Sequence, residues 1–218
     1  MQDPFVNQRI AMVELQLRSR GIRDERVLGA MLRVPRHEFV PPLLQIDAYA
    51  DMPLPIGSGQ TISQPYIVAA MLEALEIHPQ DRVLEIGTGS GYMTALLADL
   101  AAQVISIERH ADLAERAREV LAKLGYKNVQ AIVGDGSQGY PAAAPYDGII
   151  ASAAAPAIPP SLIEQLREGG RVVIPVGPPQ AQQLQLVRKI AGEVDVTPLD
   201  PCRFVPMIGS SAYRAEED

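Results

Sequence analysis

A glycine-rich turn joins a short apolar segment to a helical one and restricts the choice of fold more than any other pattern here. The apolar segment, Arg82–Ile86, is followed by glycine at every second position, Gly87, Gly89 and Gly91, and a helical pattern then begins at Tyr92. A short apolar run bounded by glycines is typical of a buried strand. Strand, tight turn and helix in this order form the first unit of a parallel α/β sheet.

The residues after this turn alternate between strand and helix patterns. The later predicted strands are Val104–Ile107, Val129–Val133, Gly148–Ala151 and Arg171–Val176, and the predicted helices are Tyr92–Leu100, 113–124 and Ser161–Leu166. Gly125 ends the second of these helices, and Gly169-Gly170 end the third. This alternation predicts a doubly wound, mostly parallel, Rossmann-like α/β sheet. Two later segments, Gln183–Ile190 and Arg203–Ile208, are expected to add an antiparallel strand pair at the C-terminus.

Helical periodicity before the turn predicts an N-terminal helical cap. The apolar positions of its three helices are Ile10, Val13 and Leu17; then Val27, Leu28, Met31 and Leu32; then Ile67, Val68, Met71, Leu72 and Leu75. Asp24 can cap the second helix, and Ser63-Gln64-Pro65 begins the third. We expect one domain, with this cap to about residue 80, a core over 81–177 and the strand pair and tail over 178–218. The last seven residues, from Ala212, are expected to fray.

Charge and cysteine content exclude several classes of function. A net charge of -7 and a pI near 5.0 leave no uniformly basic surface for nucleic acid. Cys202 is the only cysteine, so neither an intrachain disulfide nor a cysteine zinc site can form, which fits a reducing compartment. The histidines, His37, His78 and His110, lack metal-ligand spacing, and His110 is expected on the solvated surface. We expect a cytoplasmic monomer without a bound metal.

The longest uncharged window, Met52–Leu72, is too polar to span a membrane, because it carries several hydroxyl and amide side chains. The N-terminus has no apolar stretch of the kind found in signal peptides and carries Asp3, Arg9 and Glu14 early. We therefore predict no membrane contact and no targeting segment. A long uncharged window rich in hydroxyls is instead a candidate for a binding pocket.

Acidic residues follow the next two predicted strands. Glu108 ends the second strand, and Asp135 lies between Gly134 and Gly136 after the third. The carboxyl ends of parallel strands meet at one edge of the sheet, where open α/β sheets bind their ligands. A carboxylate at the position of Glu108 can accept hydrogen bonds from both ribose hydroxyls of a nucleoside. The alternative interpretation is a plain tight turn followed by capping acids.

The spacing of the glycines excludes the commonest nucleotide sites. The dinucleotide pattern G-x-G-x-x-G would need a third glycine where Tyr92 or Thr94 stands, and the P-loop spacing also fails at Tyr92. Acidic groups at the rim would repel a pyrophosphate. A positively charged nucleoside without phosphate fits better, and S-adenosylmethionine (SAM) has this chemistry.

Longer segments carry a family resemblance. Around the turn and the acids the chain reads VLEIGTGSGYMTALLA, VISIER and GDGSQGYPAAAPYDGI, and before them LPIGSGQTISQPY, from Leu54 to Tyr66. The first three resemble class I SAM-dependent methyltransferases, and the fourth resembles the signature of the protein-L-isoaspartate (D-aspartate) O-methyltransferase family. The segments RHEFVP, GGRVVIPVG and RFVPMIG match this family as well, so the resemblance covers about residues 8 to 212.

The resemblance implies methyl transfer from SAM to the free carboxylate of L-isoaspartyl, or D-aspartyl, residues in aged proteins and peptides. The methyl ester then closes to a succinimide, whose hydrolysis restores some L-aspartate. The family's active-site serine corresponds to Ser63. We assign cofactor binding to Glu85, Gly87, Thr88, Gly89, Ser90, Gly91, Glu108, Arg109, Asp135 and Gly136, and substrate binding to Gln60, Thr61, Ile62, Ser63 and Val205. The backbone near Val205 would pair with the substrate peptide as an added strand.

The reaction fits the residues present. A carboxylate has a pKa of about 4 and is ionised at neutral pH, so it needs no general base. Ser63, at a helix start, would bring its hydroxyl and nearby N–H groups to this anion. From the residues alone the alternative is a plain helix cap, and with the resemblance we expect Ser63 to serve both roles. The chain departs from the family pattern at Met93, where many relatives carry glutamine, and at Ala151-Ser152, where relatives often carry threonine.

Other functions stay open from sequence. The runner-up is a SAM-dependent methyltransferase that acts on another carboxylate, such as a dedicated aspartate in a peptide. A silent SAM-binding module is a second alternative, and the Ser63 segment argues against it. An NAD-dependent oxidoreductase is disfavoured, because the dinucleotide pattern fails.

Overall fold

The computed structural model describes residues 3–214. The helices are α1 (Val6–Ala11, continued by a π-helical stretch, Met12–Leu17), α2 (Glu25–Arg33), α3 (Pro65–Leu75), α4 (Tyr92–Leu100), α5 (Ala111–Lys123) and α6 (Pro160–Glu164). The strands are β1 (Leu54–Gly57), β2 (Gln60–Ile62), β3 (Arg82–Ile86), β4 (Gln103–Glu108), β5 (Val129–Val133), β6 (Tyr146–Ala151), β7 (Leu166–Val176), β8 (Gln182–Ile190) and β9 (Glu193–Cys202). Within residues 3–214, no helix combines the length and the apolar character needed to cross a bilayer.

Seven strands form one sheet in the order β5-β4-β3-β6-β7-β8-β9, and β1 and β2 form a separate hairpin. The first five strands of this order are parallel, and β8 and β9 are antiparallel to their neighbours. The fold class predicted from sequence is confirmed. The chain leaves β3 toward β4 and β5 on one side and later returns to β6 and β7 on the other. The strand order therefore reverses beside β3, which is where open α/β sheets bind ligands.

Both faces of the sheet are covered, because alternate residues of its strands enter different apolar clusters. In β3, Val83 packs with the N-terminal helices and α4, whereas Leu84 and Ile86 pack into a second cluster on the other face. Burial on both faces explains why these strands read as continuous apolar runs.

The structure corrects the second strand of the C-terminal pair. β8 pairs with β9, Glu193–Cys202, through a two-residue turn at Ala191-Gly192, and both turn residues have positive φ. The segment Arg203–Ile208, predicted as this strand, forms only isolated bridges. The sequence pattern misled because β9 is an edge strand that is almost wholly exposed, so it shows no alternation of buried and exposed residues.

Two smaller expectations also change. Gly169-Gly170 do not end a helix; they lie in β7, where the pairing jumps from Tyr146–Leu166 to Gly148–Arg171. In α2 the N-cap at Asp24 is confirmed, since its side chain accepts hydrogen bonds from Arg26 and Val27, but Leu32 lies outside the buried face and is exposed.

The C-terminal tail is held further than expected. Tyr213 bridges to Ile208, and its hydroxyl donates to the carbonyl of Gly177 at 2.7 Å. The expected fraying from Ala212 is therefore wrong for Tyr213. The rest of the segment expected to fray, residues 215–218, lies outside the described residues. The division of the domain near residues 80 and 177 stays a prediction.

Candidate active site

The glycine turn lies at the carboxyl end of β3 and leads into α4. All three alternate glycines have positive φ, which residues with a Cβ rarely adopt. The amide of Gly87 donates to the carbonyl of Ile107 at 2.8 Å, so the turn is pinned across the end of β4. Gly91 is the N-cap of α4. The turn therefore places backbone close to the edge of the sheet where the strand order reverses.

A first cavity of about 200 Å³, open to solvent, lies on this turn. It is enclosed by the turn, the ends of β3 and β4, the β1–β2 hairpin and the segment after β9. Of the residues predicted to bind cofactor or substrate, those that line it are Gln60, Thr61, Ile62, Ser63, Gly87, Thr88, Gly89, Ser90, Glu108, Arg109, Gly136 and Val205. Glu85, Gly91 and Asp135 do not line it.

Glu108 supplies a carboxylate to the first cavity from the end of β4. It is almost fully buried, and its two oxygens accept hydrogen bonds from the amides of Gly89 and His110, each at 2.9 Å. These bonds fix the orientation of the carboxylate and leave each oxygen with a further lone pair. The side chain can therefore accept hydrogen bonds from a vicinal diol such as the ribose of a nucleoside.

Glu85 lies beneath the glycine turn rather than in the cavity. Its Oε2 accepts hydrogen bonds from the hydroxyls of Thr94, at 2.5 Å, and Ser106, at 2.6 Å, and Ser106 also contacts the hydroxyl of Thr88. Burial raises the pKa of Glu85 from 4.5 to about 8. Glu85 therefore supports the turn through Ser106 and Thr88, and the structure shows no direct contact of Glu85 with the first cavity.

This raised pKa predicts a pH-dependent stability. Between about pH 4.5 and pH 8 the folded protein keeps a proton on Glu85 that the unfolded chain releases, so the free energy of unfolding falls as pH rises through this window. Glu85→Gln should remove this contribution and flatten the profile. Urea unfolding of both proteins across the window measures the slopes. Parallel profiles would show that Glu85 ionises normally in the folded state.

Asp135, predicted as a cofactor ligand, points away from the first cavity. Burial alone would raise its pKa, but hydrogen bonds from Ser210 and Ser137 hold the pKa below its usual range. The two serines take up both carboxylate oxygens, and one of them, Ser210, comes from the tail that the sequence could not place. Asp135 therefore anchors the tail beside the cavity, and only the neighbouring Gly136 lines it.

Gly136 allows close packing at the cavity wall. A Cβ on this residue would lie 2.5 Å from Cγ2 of Ile86, whereas one on Gly134 would lie 3.7 Å from its nearest neighbour, Cγ2 of Ile107. We expect Gly136→Ala to lower the free energy of unfolding by about 1–3 kcal/mol, because Ile86 must move. The displaced Ile86 also lines the cavity, so ligand affinity should fall. Gly134→Ala is the matched control for calorimetry and urea unfolding, and equal effects of the two would contradict the packing argument.

Ser63 lies between β2 and α3, where the first cavity meets a second one. The second cavity, of about 400 Å³, shares Thr61, Ser63, Ser152 and Val205 with the first. These four residues are called the shared wall below. The expectation that Ser63 also caps α3 is wrong, because the N-cap of α3 is Gln64, whose side chain makes no capping hydrogen bond.

The second cavity has a polar rim. Arg20 lines it, forms an ion pair with Asp51 and stacks on the ring of Tyr66, with its guanidinium carbon 3.6 Å from the ring centre. Asp51 also accepts a hydrogen bond from the amide of Tyr66 at 3.0 Å. This network fixes the start of α3 beside Ser63.

Val205 belongs to the shared wall but is already paired on one side. Its carbonyl accepts a hydrogen bond from the amide of Ala154 at 2.8 Å, and the carbonyl of Ala154 accepts one from Met207 at 2.7 Å. A peptide added at Val205, as predicted from the resemblance, would therefore have to use the opposite edge of this segment.

Several residues of the first cavity were missed from sequence. The structure adds Gly59, Val68, Ile86, Tyr92, Met93, Ile107, His110, Ser152, Ala153, Pro206, Met207 and Ile208. His110, expected on the solvated surface, is half-buried and lines the cavity. Ser152 directly follows β6, so the rule that selected Glu108 would have selected it too. Of the departures from the family pattern, Met93 and Ser152 line the cavity and Ala151 does not.

The chemistry of the first cavity fits a phosphate-free nucleoside. It offers the Glu108 carboxylate, backbone amides at the glycine turn and apolar walls, and Arg109 is its only arginine or lysine among the described residues. Together, this fold and this site define a class I SAM-dependent methyltransferase.

The family model described as protein-L-isoaspartate(D-aspartate) O-methyltransferase matches residues 7–212, and the chain therefore belongs to this family. It is 58% identical over 214 residues to a protein-L-isoaspartate O-methyltransferase of Methanoculleus marisnigri, covering 98% of this chain and 97% of the relative. It is 60% identical over 209 residues to one of Koribacter versatilis, covering 96% and 94%.

Solved structures agree with this assignment. One protein-L-isoaspartate O-methyltransferase superposes with a TM-score of 0.84 and 30% identity, covering 94% of this chain and 67% of that chain. A Plasmodium falciparum structure of the same description, in complex with S-adenosyl-L-homocysteine, gives a TM-score of 0.78 and 27% identity, covering 91% and 97%.

Proposed function

We propose that this protein transfers a methyl group from SAM to the free carboxylate of L-isoaspartyl, and also D-aspartyl, residues in proteins and peptides. The ester would close to a succinimide and return part of the damaged residue to L-aspartate. The observation that carries this proposal is the position of Ser63. Its side chain lies on the shared wall, between a cavity suited to a nucleoside and a second cavity open to a peptide.

In this proposal the first cavity holds SAM. Glu108 accepts hydrogen bonds from the ribose hydroxyls, and the glycine turn allows the ligand to approach the backbone. The Plasmodium falciparum relative supports this, since it was solved with S-adenosyl-L-homocysteine. When bound, SAM supplies a methyl group activated by a positively charged sulfur.

The residues of the shared wall would act on the acceptor. An isoaspartyl carboxylate is already ionised at neutral pH, so the protein needs to orient it and remove its water. The hydroxyl of Ser63 would hold one carboxylate oxygen by a hydrogen bond, and Thr61 and Ser152 border the same point. None of these groups carries a charge, so they hold the anion without the strong ground-state attraction of an arginine.

Two peptides that differ in a single residue, L-isoaspartate or L-aspartate, test the proposal. Each is incubated with the protein and methyl-labelled SAM, and base-labile methyl ester is counted. We expect label on the isoaspartyl peptide alone. Label on neither peptide, with SAM still bound by calorimetry, would overturn the proposal in favour of another carboxylate acceptor or a silent binding module. A cytoplasmic location and a monomeric state stay predictions.

A further inference from the structure

Arg36 is a fully buried arginine in the RHEFVP segment, to which the proposed chemistry gives no role. Its exposed fraction is 0%, and burial lowers its pKa to about 10. Removing a guanidinium from water is costly unless strong partners replace the water. A buried cation is therefore expected to hold something that the fold or the reaction needs.

The partners of Arg36 are carbonyls and a ring. Its Nε donates to the carbonyl of Ala48 at 2.7 Å, and its Nη2 donates to the carbonyl of Ser63 at 2.8 Å. The guanidinium carbon lies 4.8 Å from the centre of the Tyr92 ring. The third nitrogen, Nη1, is buried with no hydrogen-bond partner among residues 3–214. Both hydrogen bonds are to backbone carbonyls and neither is to a carboxylate. Arg36 therefore holds two points of the backbone in place and does not neutralise a buried negative charge.

The hydrogen bond from Arg36 holds the backbone of Ser63 at a point that lies in neither a strand nor a helix. Ser63 follows the last residue of β2 and precedes the N-cap of α3, and that N-cap has no side-chain hydrogen bond. Arg36 also covers Tyr92, which lines the first cavity. One buried side chain thus links the backbone of Ser63 to a residue of the cofactor side.

We propose that Arg36 is a positioning residue for methyl transfer: its guanidinium fixes the backbone of Ser63, and thereby the place of the Ser63 hydroxyl on the shared wall. The inference rests on the proposed function of Ser63. It assigns Arg36 no contact with the substrate or the cofactor.

A double-mutant cycle tests this role. Lysine cannot donate to both carbonyls in the geometry of a guanidinium. We expect Arg36→Lys to lower kcat for the isoaspartyl peptide by about 10-fold, since small displacements of positioning groups have effects of this size or larger. In the Ser63→Ala background the same change should cost less than about twofold, because the hydroxyl it positions is gone. The Kd for SAM should be unchanged in all four proteins.

Arg171→Lys is the matched control. Arg171 is also a buried arginine, but it pairs with Asp81 at 3.1 Å and lines neither cavity. It should lose stability and keep kcat. Arg36→Met, which removes both donors and the charge, gives a second cycle if the lysine variant melts below the assay temperature.

The outcomes separate the inference from the proposed function. Equal losses from Arg36→Lys with and without the Ser63 hydroxyl would show a general structural role and overturn the inference alone. The same kcat loss in Arg171→Lys would do so too. A wild-type protein that labels no isoaspartyl peptide would overturn the proposed function and the inference with it.

Discussion

Replacing Ser63 with alanine is expected to lower kcat for an isoaspartyl peptide by about 10- to 100-fold, because a hydrogen bond to a charged group contributes about 1.5–3 kcal/mol. The Kd for SAM should stay near the wild-type value, since the groups proposed to bind the nucleoside part of SAM are on the glycine turn and Glu108. Ester formation under saturating SAM measures the first quantity, and calorimetry measures the second.

Ser161→Ala is a suitable control for Ser63→Ala. The Ser161 hydroxyl donates to the carbonyl of Ser137 at 2.7 Å, and Ser161 lines neither of the two cavities. It loses the same chemical group without touching the shared wall, so its kcat should match the wild type. If Ser63→Ala also turned over normally, the hydroxyl would have no part in the reaction. A loss of SAM affinity in Ser63→Ala would instead place this residue on the cofactor side.

Replacing Glu108 with alanine is expected to weaken SAM binding by about 100-fold or more, because two hydrogen bonds from ribose hydroxyls to a charged acceptor are lost. The variant also leaves the amides of Gly89 and His110 without the carboxylate that now orients them. Calorimetric titration with SAM and with S-adenosyl-L-homocysteine gives the two Kd values. Both should rise together, since the ribose is common to the two ligands.

Asp135→Ala is the control that separates the loss of SAM affinity in Glu108→Ala from the effect of removing any carboxylate at this edge of the sheet. The Asp135 carboxylate binds Ser137 and Ser210 and does not line the first cavity. This variant should lose stability in the tail and keep most of its SAM affinity. An unchanged Kd in Glu108→Ala, or an equal rise in both variants, would contradict the assignment of Glu108 to the ribose.

The core of the fold could be read from sequence because its signals are local. The parallel strands β3, β4, β6 and β7 are buried on both faces over most of their length, and Gly87, Gly89 and Gly91 mark one turn unambiguously. Glu108 could be placed for the same reason, since a residue that ends a parallel strand lies at a known edge of the sheet.

The errors arise where tertiary contacts decide the outcome. β9 contains Pro198 and Pro201 and shows almost no burial, so only its pairing with β8 makes it a strand. The β1–β2 hairpin was missed because its strands have only four and three residues, too few to show an alternating pattern. The segment Gly57-Ser58-Gly59 joins them. Asp135 follows the end of β5 by two residues, whereas Glu108 is the last residue of β4. The Asp135 side chain accepts hydrogen bonds from Ser210, 75 residues later in the chain, a distance over which sequence periodicity carries no information.

The shared wall also sets a condition on the protein being repaired. In the proposed function, a carboxylate would reach Ser63 when the polypeptide that carries it enters the second cavity as a separated strand. Inside a helix or a central strand, the backbone of the target is already bonded to its neighbours and cannot do so. A damaged residue at such a place can reach the enzyme only after local unfolding of the target protein. The free energy of that unfolding is a property of the target protein and not of the enzyme. The repair rate would then rank damaged sites by the local flexibility of their own chain, with loops and termini first.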